Sequence, residues 1–160
     1  MDDAIFEKIY EETARPLWAY TARVSGSTTA ADDILQETYL RFLKSPPREA
    51  ALEQAKPYLY KIATNLVYDR FRRLKRESAR EIVLSQKSDL MAETFAGETE
   101  MAQVFSQLKE QERALLWLAY IEGYDHGEIA GILKLNKLSI RVLLFRARRK
   151  LAGLLEGEKT

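Results

Sequence analysis

Cysteine is absent from the 160 residues, and histidine occurs once, at His126. Disulfide scaffolds, zinc ribbons and cysteine nucleophiles are thereby excluded, and a histidine-built metal site has one imidazole to draw on. Long apolar runs are missing too. Stretches such as Leu115 to Ile121 fall far short of the roughly 18 residues a bilayer-spanning helix needs. No apolar h-region follows the acidic start Met1-Asp2-Asp3, so no secretory signal is read and a cytoplasmic protein is expected. What is present is ordinary for a folded chain, 46% hydrophobic and 31% charged residues, in a length that suits one domain or two small ones.

Net charge is nearly absent as well, at +1. Alone, that argues against a nucleic-acid partner, but the average hides a segregation. Residues 56–80 hold eight basic side chains against two acidic, a local charge of +6, and residues 134–150 hold seven basic and no acidic. Between them residues 81–133 carry ten acidic and three basic, a charge of −7, and residues 1–44 carry eight acidic and five basic, a charge of −3. Alternating blocks of this kind are the footprint of separate polyanion contacts, with acidic surface left for protein partners.

Apolar residues recur at three- and four-residue spacing throughout and nowhere alternate at period two, which predicts an all-α protein. A first helix is expected from Asp3 to Val24, burying Ile5, Ile9, Leu17 and Tyr20, with Pro16 kinking or splitting it. Ser25-Gly26-Ser27 ends it. Thr29 with Asp32 is a capping-box-like start for a second helix to Lys44, with Ile34, Leu35, Thr38, Tyr39 and Phe42 on one face and Asp32, Asp33, Gln36, Glu37 and Leu40 on the other. Ser45-Pro46-Pro47 stops it, and Pro57 fits the first turn of a third helix from Lys56 to Arg76. The expected core face of that helix is Leu59, Ile62, Ala63, Leu66, Val67 and Leu74. The opposite stripe aligns Tyr58, Lys61, Asn65, Asp69, Arg72 and Arg76, an aromatic and an amide among cations, suited to stacking or hydrogen-bonding bases while neutralising phosphates.

From Glu77 to Glu98 the periodicity weakens and an interdomain linker is expected. Periodicity returns with Met101, Val104, Phe105 and Leu108, then Leu115, Leu116, Leu118 and Ala119 before Gly123. The most informative segment follows. Asp125 with Glu128 opens a short helix containing Ile129, Ala130 and Leu133; Lys134-Leu135-Asn136 turns; and a longer basic helix runs from Ser139. This is helix-turn-helix spacing, with small Ala130 at the crossing and Ile140 and Leu143 as packing residues. Lys134 stands where glycine commonly fills the turn, and a left-handed residue there costs about 1 kcal/mol.

Three segments resemble, in order and spacing, the extracytoplasmic-function (ECF) sigma factors of bacterial RNA polymerase. Ala31 to Lys44 resembles region 2.2, Pro57 to Arg73 resembles regions 2.3 and 2.4, and Leu108 to Leu151 resembles region 4. The resemblance implies a non-enzymatic initiation factor of two small helical domains, region 2 at residues 1–76 and region 4 at 99–156, joined by a flexible linker at 77–98. It implies no cofactor or metal. Its partners would be core RNA polymerase, promoter DNA and an anti-sigma factor. Asp32, Asp33, Gln36 and Glu37 match the surface that docks on the polymerase clamp, and an acidic face suits a basic partner helix. Tyr58, Lys61, Asn65, Arg72, Arg73 and Arg76 match positions that engage the minus-10 element, the loop from Ser45 to Ala55 helping to hold a flipped base. Lys137, Ser139 and Arg141 match positions that enter the minus-35 major groove, while Arg146 and Arg149 suit phosphate.

Three departures from the family pattern stand out: Lys109 in place of proline, Leu138 in place of glycine, and Val142-Leu143 in place of a frequent Ser-Arg pair. The chain stops soon after region 4, so signal sensing is expected to reside in another protein. A helix-turn-helix regulator that binds duplex DNA by itself is the competing class, and a docking protein without promoter activity is a second. The acidic second helix and the basic third argue against the independent regulator.

Overall fold

The structure is a computed structural model describing residues 1–48, 51–80 and 99–158. The chain divides between Phe95 and Ala96 into two units, and every regular element among the described residues is helical. The first unit packs three helices against one another: α1 (Asp3–Ser25), α2 (Thr28–Lys44) and α3 (Leu52–Arg80). The Asp2 carboxylate caps α1, accepting from the Ala4 N–H at 3.1 Å. Gly26 closes it in the left-handed region at φ 75°, where a side chain would be strained. Ser27, the first extended residue after that turn, caps α2 by accepting from the Ala30 N–H at 3.0 Å. The cap expected at Thr29 therefore lies two residues early, because the backbone is already helical there.

Pro16 and Pro57 sit inside helices rather than ending or opening them. Pro16 leaves α1 unsplit, and α3 begins at Leu52, so Pro57 lies beyond its first turn. A ring at either position removes the hydrogen bond to the carbonyl four residues back. Those carbonyls belong to Glu12 and Glu53, both exposed, where water can serve instead.

The first core gathers Ile9, Leu17, Tyr20 and Val24 of α1, Ile34, Tyr39 and Phe42 of α2, and Leu59, Tyr60, Ala63, Val67 and Phe71 of α3. Ile5 is 40% exposed, against expectation. Phe6 turns inward in its place, its ring 6.0 Å from Tyr39 and 6.3 Å from Phe42. The buried face of α3 is also rotated from the expected one: Tyr60, Thr64 and Phe71 are buried, while Ile62, Leu66 and Leu74 are half-buried. Hydroxyls can enter this core because they satisfy one another. Tyr20 and Thr64 pair at 2.7 Å and Tyr39 and Thr13 at 2.5 Å, and the Tyr20 and Tyr60 rings lie 5.1 Å apart. Burial pushes the Tyr39 phenol from 10.0 up to about 12, with the Thr13 bond working against it.

The second unit contains α4 (Glu100–Ser106), α5 (Glu110–Leu116), which runs on into a π-helical turn (Trp117–Ile121), α6 (His126–Leu133) and α7 (Lys137–Glu158). Val104, Leu108, Leu115, Leu118, Ile129, Ile132, Ile140, Leu144 and Ala147 form its core. Buried Arg113 joins α5 to the end of α4, its guanidinium donating to the carbonyls of Ser106, at 3.2 Å, and Leu108. Met101 is 49% exposed, outside this core. Of the expected linker, Glu77 to Arg80 continue α3, and 81–98 lie outside the described residues. No helix among the described residues is long and apolar enough to cross a membrane.

Candidate nucleic-acid interface

The outward side of α2 carries Asp32, Asp33 and Gln36 in the open and Glu37 half-buried. Asp32 is tied back to α1, accepting from the Trp18 indole N–H at 2.7 Å. Glu37 accepts from the Arg41 guanidinium at 3.0 Å, in a pair exposed on both sides and so worth little to stability. Asp33 and Glu37 also line a groove whose other charged members are Arg41 of α2 and Asp69, Arg70 and Arg73 of α3. The acidic patch is thus bordered by cations. Asp33 is the acidic residue of α2 with no ion pair or side-chain hydrogen bond among the described residues.

Along α3 the outward stripe survives the rotated core: Lys61, Asp69, Arg72 and Arg76 are exposed, and Tyr58 and Asn65 are half-buried. Tyr58 is held in place, its hydroxyl donating to the Ser45 carbonyl at 2.6 Å and its ring 6.0 Å from Phe42. Tyr58 and Asn65 share a second groove with Arg41, Lys44, Ser45 and Ile62. An aromatic edge, an amide and two cations converge there, a chemistry that fits a base and its phosphate. Arg72 pairs with Asp69. Arg73, matched with these residues to the minus-10 positions, lines the Asp33 groove together with Asp69 of the stripe. Of the expected Ser45 to Ala55 loop, the part from Leu52 is already helix, and residues 49 and 50 lie outside the described residues.

In the second unit the helix-turn-helix is built as its spacing implies. Asp125 and Glu128 cap α6 reciprocally, the Glu128 N–H donating to the Asp125 carboxylate at 2.8 Å and the Asp125 N–H to Glu128 at 3.2 Å. The Glu128 N–H, with help from the nearby Lys137 ammonium, holds the Asp125 carboxyl below the ordinary carboxylate range. Lys134 closes α6 in the left-handed region at φ 56° and ψ 45°, and the Leu135 N–H donates to the Ala130 carbonyl at 2.9 Å. The Asn136 side chain then accepts from the Leu138 N–H at 3.0 Å, which starts α7 at Lys137, two residues before the expected Ser139. Ala130 and Ile140 are buried as expected. Leu143 is half-buried, and Leu144 takes the fully buried place.

All five α7 candidates, Lys137, Ser139, Arg141, Arg146 and Arg149, are exposed. Arg141 and Arg146 belong to no ion pair among the described residues, while the Arg149 guanidinium lies 5.8 Å from the centre of the Phe145 ring. Arg148 hydrogen-bonds the Tyr120 hydroxyl and lies 6.0 Å over its ring. Lys150 donates to Glu112 at 2.9 Å, and Glu112 also accepts from the Lys109 N–H at 2.8 Å. Burial pushes the Glu112 carboxyl up, but the Lys109 N–H and the Lys150 ammonium outweigh it, and the group lies below its ordinary value. Trp18, Arg41, Arg70 and Tyr120 all help shape these surfaces without having stood out in the sequence. Arg41 alone carried a signal, four residues after Glu37 on the same helix.

Residues 9–77 match the family model of sigma-70 region 2, and residues 99–151 match that of sigma-70 region 4. The chain is 27% identical over 156 residues to the ECF RNA polymerase sigma factor SigL of Mycobacterium tuberculosis, covering 92% of this chain and 87% of that one. It is 24% identical over 160 residues to SigM of Bacillus subtilis, covering 92% and 93%. In fold it is similar to the sigma factor RpoE solved in complex with the anti-sigma factor NepR from Bartonella quintana, with a TM-score of 0.75 and 21% identity over 94% of this chain and 96% of that one. CnrH, solved in complex with the cytosolic domain of CnrY, gives a TM-score of 0.65 at 23% identity over 95% and 88%. With both sigma-70 regions matched in order and relatives aligned over almost the whole chain, this protein belongs to the ECF sigma factors.

Proposed function

We propose that this sigma factor works by three contacts: Asp32, Asp33, Gln36 and Glu37 on core RNA polymerase, the α3 stripe on the minus-10 element, and the start of α7 on the minus-35 element. The observation that carries the proposal is the division of charge between neighbouring helices. α2 presents acid, and α3 and α7 present cations beside groups able to read bases. An acidic patch is repelled by duplex DNA and suits a basic protein surface, whereas cations beside an amide and an aromatic suit nucleic acid. Within the α2 patch, Asp33 is the residue whose charge is uncommitted, so it carries the greater weight in docking.

On α3, Asn65 and Tyr58 are the groups for base contact, and Lys61, Arg72 and Arg76 meet phosphate. Arg73, beside Asp33, acts at the boundary of the polymerase and DNA surfaces. On α7, Lys137, Ser139 and Arg141 enter the major groove, and Arg146 and Arg149 meet phosphate. The protein performs no catalysis of its own and acts in the cytoplasm beside the polymerase. Its division into region 2 at 1–76, a linker at 77–98 whose first four residues continue α3, and region 4 at 99–156 is supported by family matches at 9–77 and 99–151. An anti-sigma factor, of the kind bound to the Bartonella relative, restrains it.

The test is run-off transcription from pooled genomic promoter fragments with purified core polymerase, with and without the protein. The expected result is a set of transcripts that require the protein and vanish with Asp33→Arg or Asn65→Ala, both variants retaining native circular dichroism. Tight binding of duplex DNA by the protein alone, with no transcripts, would sink the proposal in favour of an independent regulator. Core binding without transcripts would leave only the docking role.

A further inference from the structure

The outermost strip of α7 is apolar. Leu138, Val142 and Phe145 follow one another at four- and three-residue spacing, which on a helix places them on a single face. They are 85%, 48% and 50% exposed, and Leu138 is the most exposed large apolar side chain described. The buried residues Ile140, Leu144 and Ala147 lie on the opposite side. The backbone at Leu138 is anchored in the first turn, its N–H donating to the Asn136 side chain. In the middle of the face that a DNA-reading helix turns to the base edges, this chain therefore presents branched hydrocarbon, with the hydrogen-bonding groups of Lys137, Ser139 and Arg141 on its flanks.

Charge identifies the occupant. Residues 134–150 contain seven cations and no carboxylate. Exposed cations flank the strip on both sides, Lys137 and Arg141 on one and Arg146 on the other. A strip of hydrocarbon between two rows of cations complements a major groove, with phosphates along both edges and an apolar group, the 5-methyl of thymine, on its floor. An apolar peptide would leave the flanking cations without partners.

We infer that Leu138 and Val142 are specificity-determining residues for the minus-35 element and read thymine methyl groups rather than hydrogen-bonding base edges. The inference rests on the proposed role of α7 at that element and adds the chemical feature it recognises. Four residues of helix rise cover about 6 Å, close to two base-pair steps of roughly 3.4 Å, so the two thymines lie about two base pairs apart. Phe145, under the Arg149 guanidinium, lies farther along the same strip, where the helix approaches the backbone.

The test uses holoenzyme reconstituted with the full chain and a pool of duplexes with a constant thymine-containing minus-10 segment. The upstream stretch is randomised and synthesised either with thymidine or with deoxyuridine, which lacks only the methyl. The thymidine pool is expected to enrich thymine at two positions about two base pairs apart. Uracil at those positions should bind about three- to four-fold less well per methyl lost. Leu138→Ser and Val142→Ser should each erase the thymine-over-uracil preference at one position, whereas Lys137→Ala should weaken both pools equally. Sequence-specific enrichment that is the same with uracil as with thymine would overturn the inference and leave minus-35 recognition by α7 standing. No upstream preference in either pool, with transcription intact from the minus-10 segment, would overturn the inference and the α7 role together.

Discussion

Replacing Lys134 by glycine should stabilise the second unit, because this residue holds the turn between α6 and α7 at φ 56°. A side chain in that region costs about 1–2 kcal/mol, and Lys134 is exposed, with no ion pair or side-chain hydrogen bond among the described residues to offset the cost. Glycine removes that strain but gives the unfolded chain more freedom, which costs about 0.5–1 kcal/mol. The net gain is about 0.5–1 kcal/mol, or roughly 2–8 °C in the melting temperature of a unit of about 60 residues. The two tryptophans make the measurement selective, since Trp18 lies in α1 and Trp117 in the π turn of the second unit. In a Trp18→Phe background, the fluorescence of Trp117 followed through a urea titration reports the second unit. Lys134→Ala is the control, because it removes the same side chain but keeps a Cβ in the left-handed region. The reasoning fails if Lys134→Gly unfolds at the same urea concentration as Lys134→Ala, or at a lower one.

Three further effects follow from the buried and paired groups. The lowered Glu112 carboxyl makes its stabilising contribution fully above about pH 4.5 and loses it as pH falls through the depressed folded value; the same fluorescence titration should show acid sensitivity in the second unit that Glu112→Gln diminishes. Tyr39 works in the opposite sense: its share of stability in the first unit is complete below pH 10 and should fade as pH rises towards 12, a slope that Tyr39→Phe removes in alkaline unfolding followed by circular dichroism. Arg113→Met keeps the apolar stem but strips the donor from the Ser106 and Leu108 carbonyls; it should cost roughly 2 kcal/mol or more by urea unfolding, and Arg113→Lys should not fully restore it, since the lysine ammonium ends about one bond short of the terminal guanidinium nitrogen that makes both bonds.

Much of this architecture was legible from pattern alone. The all-α class, the capping pair Asp125–Glu128 and the helix-turn-helix spacing are local features, written within a few residues of one another, and they appear as read. What failed was longer in range. Pro16 and Pro57 did not interrupt their helices because packing of the buried faces of α1 and α3 outweighs one missing hydrogen bond on a side open to water. The phase of α3 was misjudged because Tyr60 and Thr64 look like surface residues until Tyr20, forty-four positions before Thr64, supplies the hydroxyl that lets them in.

The acidic patch carries the same lesson to individual charges. Asp32 and Asp33 are adjacent in sequence and equivalent by composition, and the helix turns them about 100° apart. Trp18 then commits one of them to the fold and leaves the other open. A charge already hydrogen-bonded within the protein must break that bond or share it before it can serve a partner, so it contributes less to docking than its sequence neighbour. It follows that Asp33→Asn should weaken core binding more than Asp32→Asn, whereas Asp32→Asn should cost the first unit more stability. Titration of each variant with core polymerase, beside its urea midpoint, separates the two effects. Equal losses of affinity for both would mean that the patch acts through its summed field and not through the individual carboxylates.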